Sequence, residues 1–410
     1  MENKKAISNN TKVLDFIKKY AMVIVLFLVL IFFEVGTQGK ILLPSNVSNL
    51  ISQNAYVFVL TTGMLLCILT GGNIDLSVGS VVCFVGACGA RLMADANWPI
   101  PFAIIVMVLI GTAIGAMQAF IIAYIRIPPF ITTLAGMLIF RGASNIVLNG
   151  LTVTITNSTA FIKLFGGGAD CYVPDIFGEV YIGGTLVNLT CILTGIIVTG
   201  VYIAMQIISR GKKIKKGYEV EKMAPWVIKM SIISVVIVAV SILLALNDGK
   251  GIPTVLIIVL AVIIVYSYIT SNTKTGRYFY AVGGNEKASK LSGIDTNKIF
   301  FLAYINMGFL AALAGMITIA RMTSAQPTYG QNYEMDAIAS CFIGGASAYG
   351  GIGTVPAAII GTVLMGVINL GMLTMGVDQN MQKVVKGIVL LAAVIFDVVS
   401  KRGFKLIAKN

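Results

Sequence analysis

Apolar runs long enough to cross a lipid bilayer recur along almost the whole of this chain, and their repetition constrains the fold more than any single motif does. A crossing helix needs about 20 apolar residues. Twelve candidate runs lie near residues 20–36, 51–70, 76–92, 102–124, 130–149, 184–208, 227–246, 254–270, 299–320, 334–349, 353–375 and 384–400. Lipid offers no partner for a free backbone N–H or C=O, so such runs fold as helices. The expected fold class is all-α: a polytopic membrane helix bundle, a single transmembrane domain over residues 1–410. Composition agrees, with 57% hydrophobic and 11% charged residues, against about 25% charged in a soluble domain.

The formal net charge of +13 is distributed in clusters. Lys4, Lys5, Lys12, Lys18 and Lys19 precede the first run, and Arg210, Lys212, Lys213, Lys215, Lys216 and Lys222 form a second group. Lys274, Arg277, Lys287, Lys290 and Lys298 form a third, and Lys401, Arg402, Lys405 and Lys409 close the chain. Short basic loops stay on the cytoplasmic side. Starting with the N-terminus inside, alternation through the runs puts every basic cluster and both termini inside. The sparse loops carrying Lys40, Arg91, Lys163, Lys250, Arg321 and Lys383 then fall outside. That placement accounts for the positive charge without nucleic acid as a partner. The first run lacks a small-residue cleavage site after it and reads as a retained helix.

Several chemistries are excluded. The chain has no histidine, which removes His-based catalysis and His metal ligation. Its six cysteines (Cys67, Cys83, Cys88, Cys171, Cys191, Cys341) are scattered without a CxxC pair and read as small hydrophobes. No HExxH or paired acidic motif is present, so no catalytic or metal residue and no cofactor is expected. The chain also lacks a G-x-x-x-x-G-K-[ST] loop, so any ATP used on its behalf must be hydrolysed by a partner.

Glycine interrupts two runs in corresponding halves. Gly71–Gly79 precedes a run containing Gly111, Thr112, Gly115 and Gln118, and Gly344–Gly351 precedes one containing Gly361, Thr362, Gly366 and Asn369. Paired breaks of this kind, a weak internal repeat, point to a central pathway. Asp75 is the one acidic residue in 51–92. A carboxylate at membrane depth costs about 2.5–3.5 kcal/mol on insertion scales, so Asp75 either caps the helix that follows or shapes the pathway, and the two readings are compatible. The amides Asn73, Gln118, Asn306 and Asn369 serve either interhelical hydrogen bonds or solute contacts. Small residues at helical spacing (Gly111 and Gly115, Gly308 and Ala312, Ala311 and Gly315) allow close helix approach, within one chain or, alternatively, between two copies. The longest external segment, 150–183, carries Gly166–Gly168, Asp170, Asp175 and Glu179 and reads either as a docking loop or as a solvated one.

Four ordered stretches carry a family resemblance. Thr70-Gly71-Gly72-Asn73-Ile74-Asp75-Leu76-Ser77-Val78-Gly79-Ser80 and Ile127-Pro128-Pro129-Phe130-Ile131-Thr132-Thr133-Leu134 are the first two. Gly276-Arg277-Tyr278 with Gly283–Ala288 and Leu291–Ile294 is the third, and Gly344–Gly353 with Val384-Val385-Lys386-Gly387 is the fourth. Together they resemble the permeases of the ribose, xylose and galactose ABC importers. The resemblance implies a homodimeric inner-membrane permease partnered by an ABC ATPase subunit and an extracytoplasmic sugar-binding protein. ATPase closure would bias the two faces of an alternating-access pathway. Its pathway candidates are Asn73, Asp75, Ser77, Gln118, Asn306 and Asn369, an uncharged polar set apart from Asp75 and suited to a neutral monosaccharide.

Within the segment 272–299, Asn285 is placed to cap a helix, Ala288 and Leu291 share a face, and Gly293 is placed to end it. A two-turn amphipathic helix fits a groove on a partner. By resemblance that partner is the ATPase, and Gly284, Asn285, Glu286, Ala288, Leu291, Ser292 and Gly293 are the coupling candidates. The chain departs from the family's usual shorter form at about 206–252, a basic cytoplasmic loop with an extra helix pair. Its length most resembles galactose/methyl-galactoside permeases. The competing class is an ion-coupled secondary transporter, for which Asp75, Glu334 and Asp336 are the titratable candidates.

Overall fold

The computed structural model describes residues 22–166, 171–182 and 184–402. Lys4, Lys5, Lys12, Lys18, Lys19, Gly167, Gly168, Asp170, Lys405 and Lys409 lie outside the described residues. The chain forms helices α1 (Met22–Gly36), α2 (Pro44–Leu69), α3 (Val78–Ala94), α4 (Ile100–Phe120), continued by a π turn (Ile121–Ile125), and α5 (Pro129–Leu148). A short α6 (Thr159–Leu164) precedes α7 (Leu189–Lys215), α8 (Met223–Ala245) and α9 (Thr254–Asn272). Then come α10 (Lys274–Gly284), α11 (Glu286–Leu291), α12 (Thr296–Met322), α13 (Tyr333–Ile343), α14 (Val355–Thr374) and α15 (Gln379–Arg402).

Proline stands in the first turn of α2, α4, α5 and α14, where its missing N–H is an orphan in any case. Two small antiparallel pairs lie in the loops between helices. Strand β1 (Val153–Thr154) pairs with β4 (Ser324–Ala325), and β2 (Glu179–Ile182) pairs with β3 (Thr185–Asn188). The described parts of segment 150–182 are tied to the bundle at Val153–Thr154 and at Tyr172, which bridges to Pro253.

Eight helices among the described residues are long and apolar enough to cross a membrane, while α1 and α3 are shorter. The expected run 334–349 is corrected: α13 has 11 residues, about 17 Å at 1.5 Å per residue, against an apolar core of about 30 Å. It stops because Gly344 and Gly345 follow, the latter at φ +84°, a conformation that favours glycine.

The most buried spans are α2 and α12, at 78% and 67%, whereas α7 and α8 are buried over only 11% and 6%. The small residues act within the chain. A Cβ on Gly115 would stand 2.7 Å from Tyr304 O and 2.9 Å from Gly308 Cα, and one on Gly111 would stand 2.6 Å from Ala312 Cβ. Helices α4 and α12 thus touch backbone to backbone, the approach that small residues permit in lipid. The region 206–252 comprises the end of α7, a turn and all of α8, so Arg210–Lys215 are helical rather than loop.

Candidate functional site

The two glycine breaks and the α10–α11 joint converge at one end of the bundle. Gly351 N–H donates to Leu69 O at 3.1 Å, joining the break after α13 to the end of α2. A Cβ on Gly283 would overlap Leu69 O and stand 2.5 Å from Gly351 N. Gly350 faces Gly71, and Gly72 faces the Ala348 carbonyl, each with no room for a side chain. Gly72 (φ +76°), Gly350 (φ +81°) and Gly351 (φ +70°) are also in the left-handed region, so glycine is needed here for space and for conformation. The Tyr280 hydroxyl of α10 donates to Gly353 O at 2.9 Å. Burial raises the pKa of this phenol, opposed by a hydrogen bond with Thr270, so it stays a donor.

The α4–α5 corner forms the facing wall. Its π turn ends in Arg126 at φ +65°, and the Arg126 guanidinium donates to Glu286 Oε1 at 2.8 Å. It also donates to Asn297 Oδ1 and to Thr296 Oγ1 at 3.4 Å, and lies 5.7 Å from the Phe300 ring centre. Thr296 Oγ1 donates to Glu286 Oε1 at 3.2 Å. Between the walls is a cleft of about 400 Å³, lined by Thr70, Asn73, Arg126, Pro128, Gly284 and Glu286 among others.

The punctuation expected of α11 is present. Asn285 Oδ1 accepts from Ala288 N at 3.0 Å, Ser292 Oγ donates to Ala288 O at 2.9 Å, and Gly293 turns at φ +82°. Glu286 faces inward to Arg126, whereas Ala288 is exposed and Leu291 is 91% exposed. Of the coupling candidates, Gly284, Asn285 and Glu286 line the cleft, and Ala288 and Leu291 present an apolar spot outward.

The pathway candidates divide. Asp75 Oδ1 accepts from Ser77 N at 2.8 Å and from Ser77 Oγ at 2.7 Å. Gln118 Nε2 donates to Ser77 Oγ at 2.9 Å. All three side chains are buried where α3 begins. The helix cap expected at Asp75 falls instead on Ser77, because the carboxylate bonds Ser77 in an Asx turn and does not reach the first-turn amides. Asn73 donates to Thr70 O at 3.2 Å on the cleft wall. Asn306 and Asn369 do not join this group: Asn306 accepts from Tyr266 of α9, and Asn369 sits on α14 with its Oδ1 unpartnered among the described residues.

Glu334 lies against Gly79, and Asp336 is ion-paired to Lys386 of α15 at 2.9 Å. Tyr56 hydroxyl donates to Asp336 Oδ2 at 3.1 Å, and the Tyr56 and Tyr333 rings stack 3.6 Å apart. Sequence reasoning missed Arg126 and the Asp336–Lys386 pair as partners. A lone arginine before Pro128-Pro129, in a chain so poor in charge, was the available signal for the first.

Comparison with known proteins extends these observations. The family model described as the branched-chain amino acid transport system permease component matches residues 46–171 and 179–394. The xylose transport system permease protein of Haemophilus influenzae is 36% identical over 385 residues, covering 93% of this chain and 96% of that protein. The corresponding xylose protein of Escherichia coli K12 is 33% identical over 383 residues, 93% of this chain and 92% of its own length. The ribose import permease protein of the same strain is 33% identical over 354 residues, 86% of this chain and 85% of its own. No solved structure matches the chain.

Proposed function

The chain belongs to the branched-chain amino acid transport system permease component family, and from its similarity to the xylose and ribose permeases we propose that it is the membrane permease of a monosaccharide ABC importer with a pentose as substrate. The relatives named for xylose and ribose, at 36% and 33% identity, favour a pentose over the galactose class suggested by chain length. The polar cluster of Asp75, Ser77 and Gln118 suits a neutral polyol, whose hydroxyls need donors and acceptors rather than ion pairs.

The observation that carries the mechanism is the contact of Gly283 with Leu69 O and Gly351 N. A separate ATPase docks on the exposed face of α11 through Ala288 and Leu291. When its subunits close, α11 moves, and the displacement passes through Gly283 to the ends of α2 and the 344–354 break with no flexible side chain between. Arg126 carries the same movement to the α4–α5 corner through Glu286. The inner gate then opens or shuts against an outer side served by an extracytoplasmic sugar-binding protein. The working unit contains two copies of the chain in the bacterial inner membrane, with both termini cytoplasmic.

An ion-coupled reading is disfavoured by the engagement of two of its three titratable candidates, Asp336 with Lys386 and Asp75 with Ser77. The test is uptake into proteoliposomes holding the chain with its ATPase and binding protein. Radiolabelled xylose or ribose enters only with ATP inside the ATPase compartment. Uptake by the chain alone under an ion gradient contradicts the proposal.

A further inference from the structure

The α7–α8 hairpin has no role in the junction just described. Its buried residues lie at one end: Thr190, Cys191 and Gly195 on α7 and Leu244 and Ala245 on α8. At the other end, residues 201–222 are exposed or only partly buried. That end carries Arg210, Lys212, Lys213, Lys215, Lys216 and Lys222 against Glu219 and Glu221 as the acids. Cations near a helix C-terminus are favoured by its dipole, but the dipole does not explain how these are arranged.

A cavity of about 430 Å³ is formed there by Met205, Ile208, Ser209, Lys212, Lys213 and Lys216, with Tyr218. The helical positions from Met205 to Lys216 share one face of α7 at three- and four-residue spacing. Gly217, at φ +72°, ends the helix, and Tyr218 N–H bonds back to Lys213 O at 3.0 Å, which brings Tyr218 to the cavity rim. The cavity is graded along its length. Met205 and Ile208, 65% and 55% exposed, give it an apolar floor, and Lys212, Lys213, Lys216 and Tyr218 complete its lining. On another side of the hairpin Arg210 stacks 4.8 Å from the Trp226 ring centre, holding α7 and α8 together at that depth.

We propose that this cavity binds the headgroup of an anionic phospholipid, its phosphate between Lys212, Lys213 and Lys216 and its acyl chain along Met205 and Ile208. Basic clusters at a membrane-helix end attract anionic lipid. The apolar floor continues the exposed apolar surface of the hairpin, the side on which an acyl chain would lie. The site would fix the depth and tilt of a hairpin that the bundle holds at only one end.

Trp98 and Trp226 are the two tryptophans, so Trp98→Phe leaves Trp226, beside the cluster, as the sole reporter. Full-length protein carrying that change is reconstituted with brominated phosphatidylglycerol or brominated phosphatidylcholine at equal mole fraction. Quenching of Trp226 is expected to favour phosphatidylglycerol. Adding Lys212→Gln, Lys213→Gln and Lys216→Gln together lowers the apparent affinity at least about tenfold, whereas Lys250→Gln at the opposite end of α8 leaves it unchanged. Equal quenching by the two lipids in the parent protein overturns the proposal. Competition by inorganic phosphate as strong as by phosphatidylglycerol overturns it in favour of a free-anion site. Loss of the bound ATPase in the triple variant, with lipid preference intact, overturns it in favour of a protein-docking surface.

Discussion

Gly351 and Leu69 lie in opposite halves of the chain, yet the N–H of one bonds the carbonyl of the other at 3.1 Å. Gly283 presses on the same carbonyl. Two breaks in membrane helices and the helix pair between α9 and α12 are thereby one mechanical unit. Close-packed backbone transmits displacement more faithfully than side chains that hop between rotamers.

Gly283→Ala should break the coupling, because its Cβ overlaps Leu69 O. Overpacking of this kind costs about 1–3 kcal/mol, so the protein still accumulates, binds its ATPase and loses most uptake. Gly284→Ala, next in sequence but with nothing within 4 Å of its Cβ, should transport at close to the parent rate. Equal uptake by the two variants would remove the junction from the mechanism.

Arg126 and Glu286 are 42% and 40% exposed, so their pair adds at most about 1 kcal/mol to stability. Arg126→Glu should leave thermal unfolding within a few degrees of the parent while uncoupling ATP hydrolysis from uptake. The exchange Arg126→Glu with Glu286→Arg should recover part of the uptake. A double variant no better than the single one would show that the pair itself does not matter.

Asp336 is 2% exposed and its partner Lys386 22%. Removing one member of a buried pair costs about 3–5 kcal/mol. Asp336→Asn should therefore lower the unfolding temperature in detergent strongly, and Lys386→Gln added to it should restore much of the loss. Uptake by the double variant should remain ATP-driven and indifferent to a protonophore. Proton dependence that vanishes with Asp336→Asn would instead make this pair a relay.

The bundle was legible in the sequence because lipid leaves a long apolar run no alternative to helix. The same reasoning lengthened α13, since Phe342 and Ile343 pass into Gly344-Gly345 without a change in hydropathy, and only the φ of Gly345 ends the helix. The two glycine breaks were readable as breaks. Their contact with each other was not, because no local pattern encodes which distant carbonyl a glycine will meet. Asn285, Ala288 and Gly293 announced α11 by capping chemistry, which is local. Arg126 escaped notice as the partner of Glu286 because that pairing joins two corners far apart in sequence. Asn306 and Asn369 were grouped with Asn73 and Gln118 by residue type alone, and residue type says nothing about which helix face an amide takes.

The most direct measurement is co-purification of the ATPase with Leu291→Asp, scored beside radiolabelled pentose uptake. Leu291 is 91% exposed, so the substitution leaves folding and membrane insertion unchanged. In the docked complex it buries an unpaired carboxylate, which is strongly disfavoured. The account predicts a normally folded permease that no longer retains its ATPase and takes up no pentose. A variant that keeps both the ATPase and full uptake would contradict the assignment of α11 as the docking helix, and with it the proposed route from ATPase to gate.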